Sequence, residues 1–106
     1  MEEGLKLYQE AARLDPGRAE AAFGVGVMLA EQRKYQESLP HFERAVKLQP
    51  RAGILHYHLA QNLIRVDQHK RALEHLEQAV ALNPLYPPAY HLLANGLFVA
   101  TEFAYV

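Results

Sequence analysis

An all-α fold assembled from repeated helical hairpins is predicted by three observations. Pro16, Pro50 and Pro84 stand 34 residues apart, twice over. Each closes the same phrase: Ala11-Ala12-Arg13-Leu14-Asp15-Pro16, Ala45-Val46-Lys47-Leu48-Gln49-Pro50 and Ala79-Val80-Ala81-Leu82-Asn83-Pro84. Between the prolines the apolar residues recur at spacings of three and four (Val25 and Leu29, then Leu39, Phe42 and Val46), the period of one face of a helix. Upstream, His41-Phe42-Glu43 returns as His75-Leu76-Glu77 at the same offset. Agreement of this length at one fixed offset marks a repeat protein.

Each unit holds two apolar runs of roughly 13 residues, about 20 Å long at a rise of about 1.5 Å per residue. The spacing predicts helices over 2–14, 19–32, 36–48, 53–66, 70–82 and 87–100. The first run of a unit stops at a polar stretch, Glu31-Gln32-Arg33-Lys34 and its counterpart Arg65-Val66-Asp67-Gln68. The second stops at the proline, which cannot continue a helix and pushes the residue before it out of the helical region. Pro40 falls inside the third helix, where an interior proline costs about 3 kcal/mol. A helix starting near Gln36 puts it at the end of the first turn, where little hydrogen bonding is lost. Strong N-caps are scarce, with one Ser, one Thr and two Asp in the chain, so packing between helices must supply most of the stability.

Composition narrows the function. The chain has 106 residues, half of them hydrophobic, and 11 basic against 12 acidic side chains leave a net charge of −1. That balance makes no electrostatic case for nucleic acid or an anionic membrane, so neither nucleic-acid binding nor membrane insertion is predicted. The uncharged stretch 79–101 is interrupted by Asn83, Pro84, Pro87, Pro88, His91 and Asn95 and does not read as a membrane span. Met1 leads into Glu2-Glu3 and not into a basic leader, and the compartment stays open, cytoplasmic by default. The absence of cysteine removes disulfides, thiolate metal sites and cysteine nucleophiles.

Catalysis is not predicted. Ser38 and Thr101 are the hydroxyl nucleophile candidates, and neither has the neighbourhood of an activated site. Gly24-Val25-Gly26 lies within a helical pattern and follows no strand, so it is no phosphate loop. Six histidines raise a metal site, but His56 and His58 point to nearly opposite sides of a helix. His41 and His75, being repeat equivalents, are expected on adjacent helices about 10 Å apart. Neither pair has carboxylates at ligand spacing, and no metal or other cofactor is predicted.

These residues resemble the tetratricopeptide repeat, a helix–turn–helix unit with the pattern W-x2-L-G-x2-Y…A-x3-F…P. In residues 19–52 the matching string is Ala22, Val25-Gly26, Leu29, Ser38, Phe42 and Pro50; in 53–86 it is His56, Leu59-Ala60, Leu63, Ala72, Leu76 and Pro84. Residues 87–106 supply an opening half, with Tyr90, Leu93-Ala94 and Leu97, and 1–18 a closing half, with Tyr8, Ala11 and Pro16. Gly26, Ala60, Ala94, Ala11, Ala45 and Ala79 are the small residues that let paired helices approach. Ala22 and His56 replace the usual Trp, and Leu29 and Leu63 the usual Tyr, which thins the core without contradicting the fold. The resemblance implies a single repeat domain over 1–106 that forms a right-handed α-superhelix, with no catalytic role.

It also implies a concave groove lined by the first helices of successive units, holding a peptide or helix of a partner protein. Equivalent positions give three lines: Phe23/Tyr57/His91, Val27/Gln61/Asn95 and Ala30/Ile64/Phe98, bordered by Glu20, Ile54 and Arg65. Family members that clamp a terminal carboxylate use Lys, Arg and Asn there. Here Asn95 and Arg65 are comparable, but Phe23 and Val27 stand at clamp positions, so an amphipathic helix or extended apolar peptide fits better. In that reading aromatic rings anchor the ligand and Gln61 and Asn95 hydrogen-bond its backbone. The alternative is that these side chains are buried by neighbouring helices and bind nothing. The last helix is apolar as well, with Leu93, Leu97 and Phe98 followed by Phe103 and Tyr105, and no second helix to cover it. A piece of a longer array, a prolonged last helix, or self-association into a homo-oligomer through these residues each accounts for that.

Overall fold

A computed structural model describes residues 2–83 and 87–93. They form α1 (Glu2–Leu14), α2 (Ala19–Glu31), α3 (Tyr35–Leu48), α4 (Gly53–Arg65) and α5 (His69–Leu82), and the chain is helical again over 87–93. No strand occurs among the described residues. From α1 to α5 every boundary lies within one residue of the expected one. The part of the last expected helix beyond 93 lies outside the described residues, as do Asn95, Leu97, Phe98, Phe103 and Tyr105.

The helix starts at Arg18, Lys34, Ala52 and Gln68 carry no side-chain cap. The ends of α2 and α4 are closed by the backbone instead. Lys34 N–H donates to the Leu29 carbonyl at 2.9 Å and Arg33 N–H to that of Ala30; Gln68 and Asp67 repeat the arrangement on Leu63 and Ile64. These are the paired bonds of a Schellman motif, which needs a left-handed residue just past the helix. Arg33 and Asp67 supply it, each with φ 63°.

Packing follows the small residues. Ala22, Val25, Ala45, Leu59, Ala60, Leu63, Ala72, Leu76 and Ala79 are buried, and Phe42 is the largest of the fully buried side chains. Gly26 lies against the Phe42 ring so closely that a Cβ there would stand 2.9 Å from it. The helix approach that the resemblance assigned to Gly26 is therefore real, and a larger residue would overpack it.

Two details differ from expectation. α3 begins at Tyr35, so Pro40 stands in the second turn, and the Gln36 carbonyl loses its i+4 donor. Gln36 and Pro40 both lie on the exposed side of the helix. Two histidines, His56 and His75, also meet, a contact that the sequence reading did not foresee. Their Nδ1 atoms are 3.0 Å apart, and His56 Nε2 is 2.8 Å from the Pro50 carbonyl. That carbonyl can only accept, so His56 carries its proton on Nε2 and accepts at Nδ1 from the Nδ1–H of His75. The pair ties α4 to α5 and to the loop before α4.

Candidate functional site: a cleft between α2 and α4

Neighbouring first helices α2 and α4 converge on an open cleft of about 290 Å³. Val27, Ala30 and Glu31 come from α2; His58, Gln61, Asn62 and Arg65 from α4; Tyr35 and Phe42 from α3. Of the expected groove residues it gathers Val27, Ala30, Gln61 and Arg65. Phe23 and Tyr57 flank it. The Phe23 ring stands edge-on to His58 at 5.0 Å and to Phe42 at 5.9 Å, and Tyr57 stands edge-on to His58 at 5.3 Å. Phe23 thus spends its ring largely on intramolecular packing, half-buried against the core. Ile64 also packs half-buried against the core, whereas Glu20, Ile54, Arg65 and His91 are exposed. Leu93 packs against the same core.

The mouth of the cleft is polar. Arg65 lies over the Tyr35 ring, 4.8 Å from its centroid, and donates to the Tyr35 hydroxyl at 3.1 Å. This stacked, hydrogen-bonded geometry orders a long side chain that exposure would otherwise leave free. Glu31 lines the same cleft. Burial pushes the His58 imidazole below its ordinary value, so the ring is neutral near pH 7.

Asn62 is the informative side chain. It is 2% exposed, and its Nδ2 donates back to the His58 carbonyl at 2.9 Å. Its Oδ1 is buried with no hydrogen-bond donor. A buried acceptor left unpaired costs on the order of 1–3 kcal/mol. Beside it, the half-buried Gln61 presents an amide with both a donor and an acceptor, which is what an extended backbone needs.

Tyr35, His58 and Asn62 were missed in the sequence because the three lines followed only the face pointing straight into the groove. His58 and Asn62 each follow a residue on those lines, turned about 100° toward the neighbouring helix. Tyr35 belongs to the turn into α3. The adjacency of Asn62 to Gln61 was the available signal.

Two family models described as tetratricopeptide repeat match the chain, over residues 2–53 and 29–96. No match among curated protein sequences reaches significance. Among solved structures, MamA from Desulfovibrio magneticus RS-1 (its segment from 41 to the end) is 33% identical with a TM-score of 0.82 over 90% of this chain. The chain spans 54% of that MamA segment. The O-GlcNAc transferase of Thermobaculum terrenum is 27% identical with a TM-score of 0.81, over 88% of this chain and 18% of the transferase. YrrB, described as a TPR protein with an unusual peptide-binding site, is 26% identical with a TM-score of 0.75, over 82% of this chain and 45% of its own.

Proposed function

Because the chain belongs to the tetratricopeptide repeat family, we propose that it is a non-catalytic scaffold whose concave groove holds a segment of a partner protein. In this reading residues 1–106 are one domain, parsed as a closing half repeat (1–18), full repeats (19–52 and 53–86) and an opening half (87–106). The observation that carries it is an open cleft that sets Gln61, Tyr35 and Arg65 beside an apolar wall of Val27, Ala30 and Phe42. The wall takes a small apolar side chain of the segment, and the Gln61 amide takes its backbone. The description of YrrB as having a peptide-binding site supports the reading.

A scaffold role also accords with the hydroxyl inventory. Ser38 is fully buried, and its Oγ–H donates to the Tyr35 carbonyl at 2.6 Å, which removes it as a nucleophile. Among the described residues no group of three or more His, Cys, Asp or Glu is placed to hold a metal ion, and no helix is long and apolar enough to cross a membrane.

The test is a peptide-display selection against the purified chain, followed by titration calorimetry of the selected sequences. The double variant Gln61→Ala/Arg65→Ala alters partly and fully exposed side chains and should keep its helicity. It is expected to bind those peptides at least about tenfold more weakly, about 1.4 kcal/mol. Peptides that bind the variant as well as the parent overturn the groove.

A further inference from the structure

His58 is walled by aromatic rings on three sides. Phe23 of α2 stands edge-on to it at 5.0 Å, Phe42 of α3 is stacked on it at 6.2 Å, and its neighbour Tyr57 stands edge-on at 5.3 Å. The residue is half-buried and lines the α2–α4 cleft, so the imidazole is open on that side. Its hydrogen bond to Asn62 uses the backbone carbonyl, and neither ring nitrogen is bonded to a described residue. His56, two positions earlier, has both nitrogens engaged, by His75 and by the Pro50 carbonyl. One histidine of α4 thus ties helices together, and the other keeps its polar atoms free at the cleft.

The charged and titratable groups that share the cleft with His58 are Glu31 from α2, Tyr35 from α3 and Arg65 from α4; α5 places none there among the described residues. Glu31 and Arg65 are opposite in sign, and Arg65 is held over the Tyr35 ring. Burial, not a neighbouring charge, holds the imidazole below its ordinary 6.5. Its protonation is therefore decided by how much water reaches the open side. Whatever covers that side disfavours the imidazolium further.

We propose that His58 makes the cleft a proton-released binding site: a partner segment seated there covers the open side of the ring, is held while the ring is neutral and is let go when the ring takes up a proton. This rests on the reading that the α2–α4 cleft holds a partner segment, and adds how that hold is relieved. The sign follows from linkage. An occupied cleft takes up a proton less readily than an empty one, so protonation and binding oppose each other equally in both directions. Affinity is level above about pH 6.5 and falls as pH drops through the value of the ring in the free protein. A single group limits the fall to about tenfold per pH unit. A hydrogen bond donated by the segment to the unprotonated nitrogen acts in the same direction, and a carboxylate on the segment acts against it. The segment is accordingly free of acidic side chains where it meets His58.

The test uses those peptides from the selection above that lack His, Asp and Glu, blocked at both termini so that the ligand itself does not titrate. Calorimetry at pH 7.5, 6.5, 5.5 and 5.0, with circular dichroism to verify the fold at each, is expected to show the affinity of the parent falling at least about threefold over the range. His58→Gln keeps a donor and an acceptor but cannot take up a proton, so its affinity should stay level. In the parent, the His58 ring protons followed by nuclear magnetic resonance should titrate at lower pH with peptide bound than without it, a readout that does not depend on the variant folding. A level affinity in the parent, an equal fall in His58→Gln, or a ring that titrates unchanged or at higher pH in the complex overturns the proposal and leaves the cleft a binding site. Peptides that bind Gln61→Ala/Arg65→Ala as well as the parent overturn the groove itself, and the proposal with it.

Discussion

Arg33 and Asp67 hold left-handed backbone at the same point of two successive turns, with φ 63° at each. Asp tolerates that region through its short polar side chain, whereas Arg has no such compensation. Arg33 stays there because the bonds from Arg33 and Lys34 to Ala30 and Leu29 close the end of α2. Arg33→Gly relieves the Cβ penalty and gives back part of it through the entropy of the unfolded chain. The expected net gain is up to about 1 kcal/mol, a rise in melting temperature of about 4–8 °C, read by calorimetry. No rise would mean that this backbone carries no strain.

At the scale of elements, the α4–α5 hairpin is held partly by a titratable contact. The His75 imidazole is pushed below its ordinary value of 6.5 by burial first, then by the charges of His56 and Arg71, with Glu74 and Glu43 opposing. Folding therefore favours the neutral ring, and the unfolded chain binds more protons at mildly acid pH. The stabilisation is full above about pH 6.5, declines as pH falls below it, and is gone below the depressed folded value. His58 and His41, both lowered chiefly by burial, act with the same sign. The urea midpoint is expected to drop between pH 7 and pH 5. His75→Gln keeps a donor for His56 but cannot take up a proton, so its midpoint should fall less over that range. An equal fall in parent and variant would remove His75 as a source of the dependence. The Arg71–Glu43 ion pair between α5 and α3, at 2.8 Å, is about half exposed on both sides and contributes at most about 1 kcal/mol.

At the scale of the whole molecule, the helices pack chiefly on their neighbours in sequence, in a body measuring 47 × 26 × 19 Å. A stack of this kind opens from its ends, since stability is a sum of local units and the interfaces between them. α1 packs on α2 and leaves Leu7 and Leu14 in water, whereas α4 packs against α3 and α5. Native-state hydrogen exchange is expected to show the amides of α1 losing protection first and those of α4 last. Equal protection throughout would mean that the chain opens as one cooperative unit.

The helices α1 to α5, their order, their ends to within a residue and the buried Gly26, Ala45, Ala60 and Ala79 were legible in the amino-acid sequence. Apolar period and the recurring proline depend on neighbours along the chain, and a local rule suffices to read them. Where residues of different helices meet was not legible, because it depends on how far each helix is turned and displaced against the next. That geometry paired His56 with His75, drew Phe23 onto the core, and brought Tyr35, His58 and Asn62 into the cleft. The left-handed turns at Arg33 and Asp67 belong to the same class: the closing hydrogen bonds impose them even on Arg33, which has no preference for that backbone. By itself the sequence determined an all-α stack of helical pairs, and the tertiary structure decided which of its surfaces are filled and which stay open.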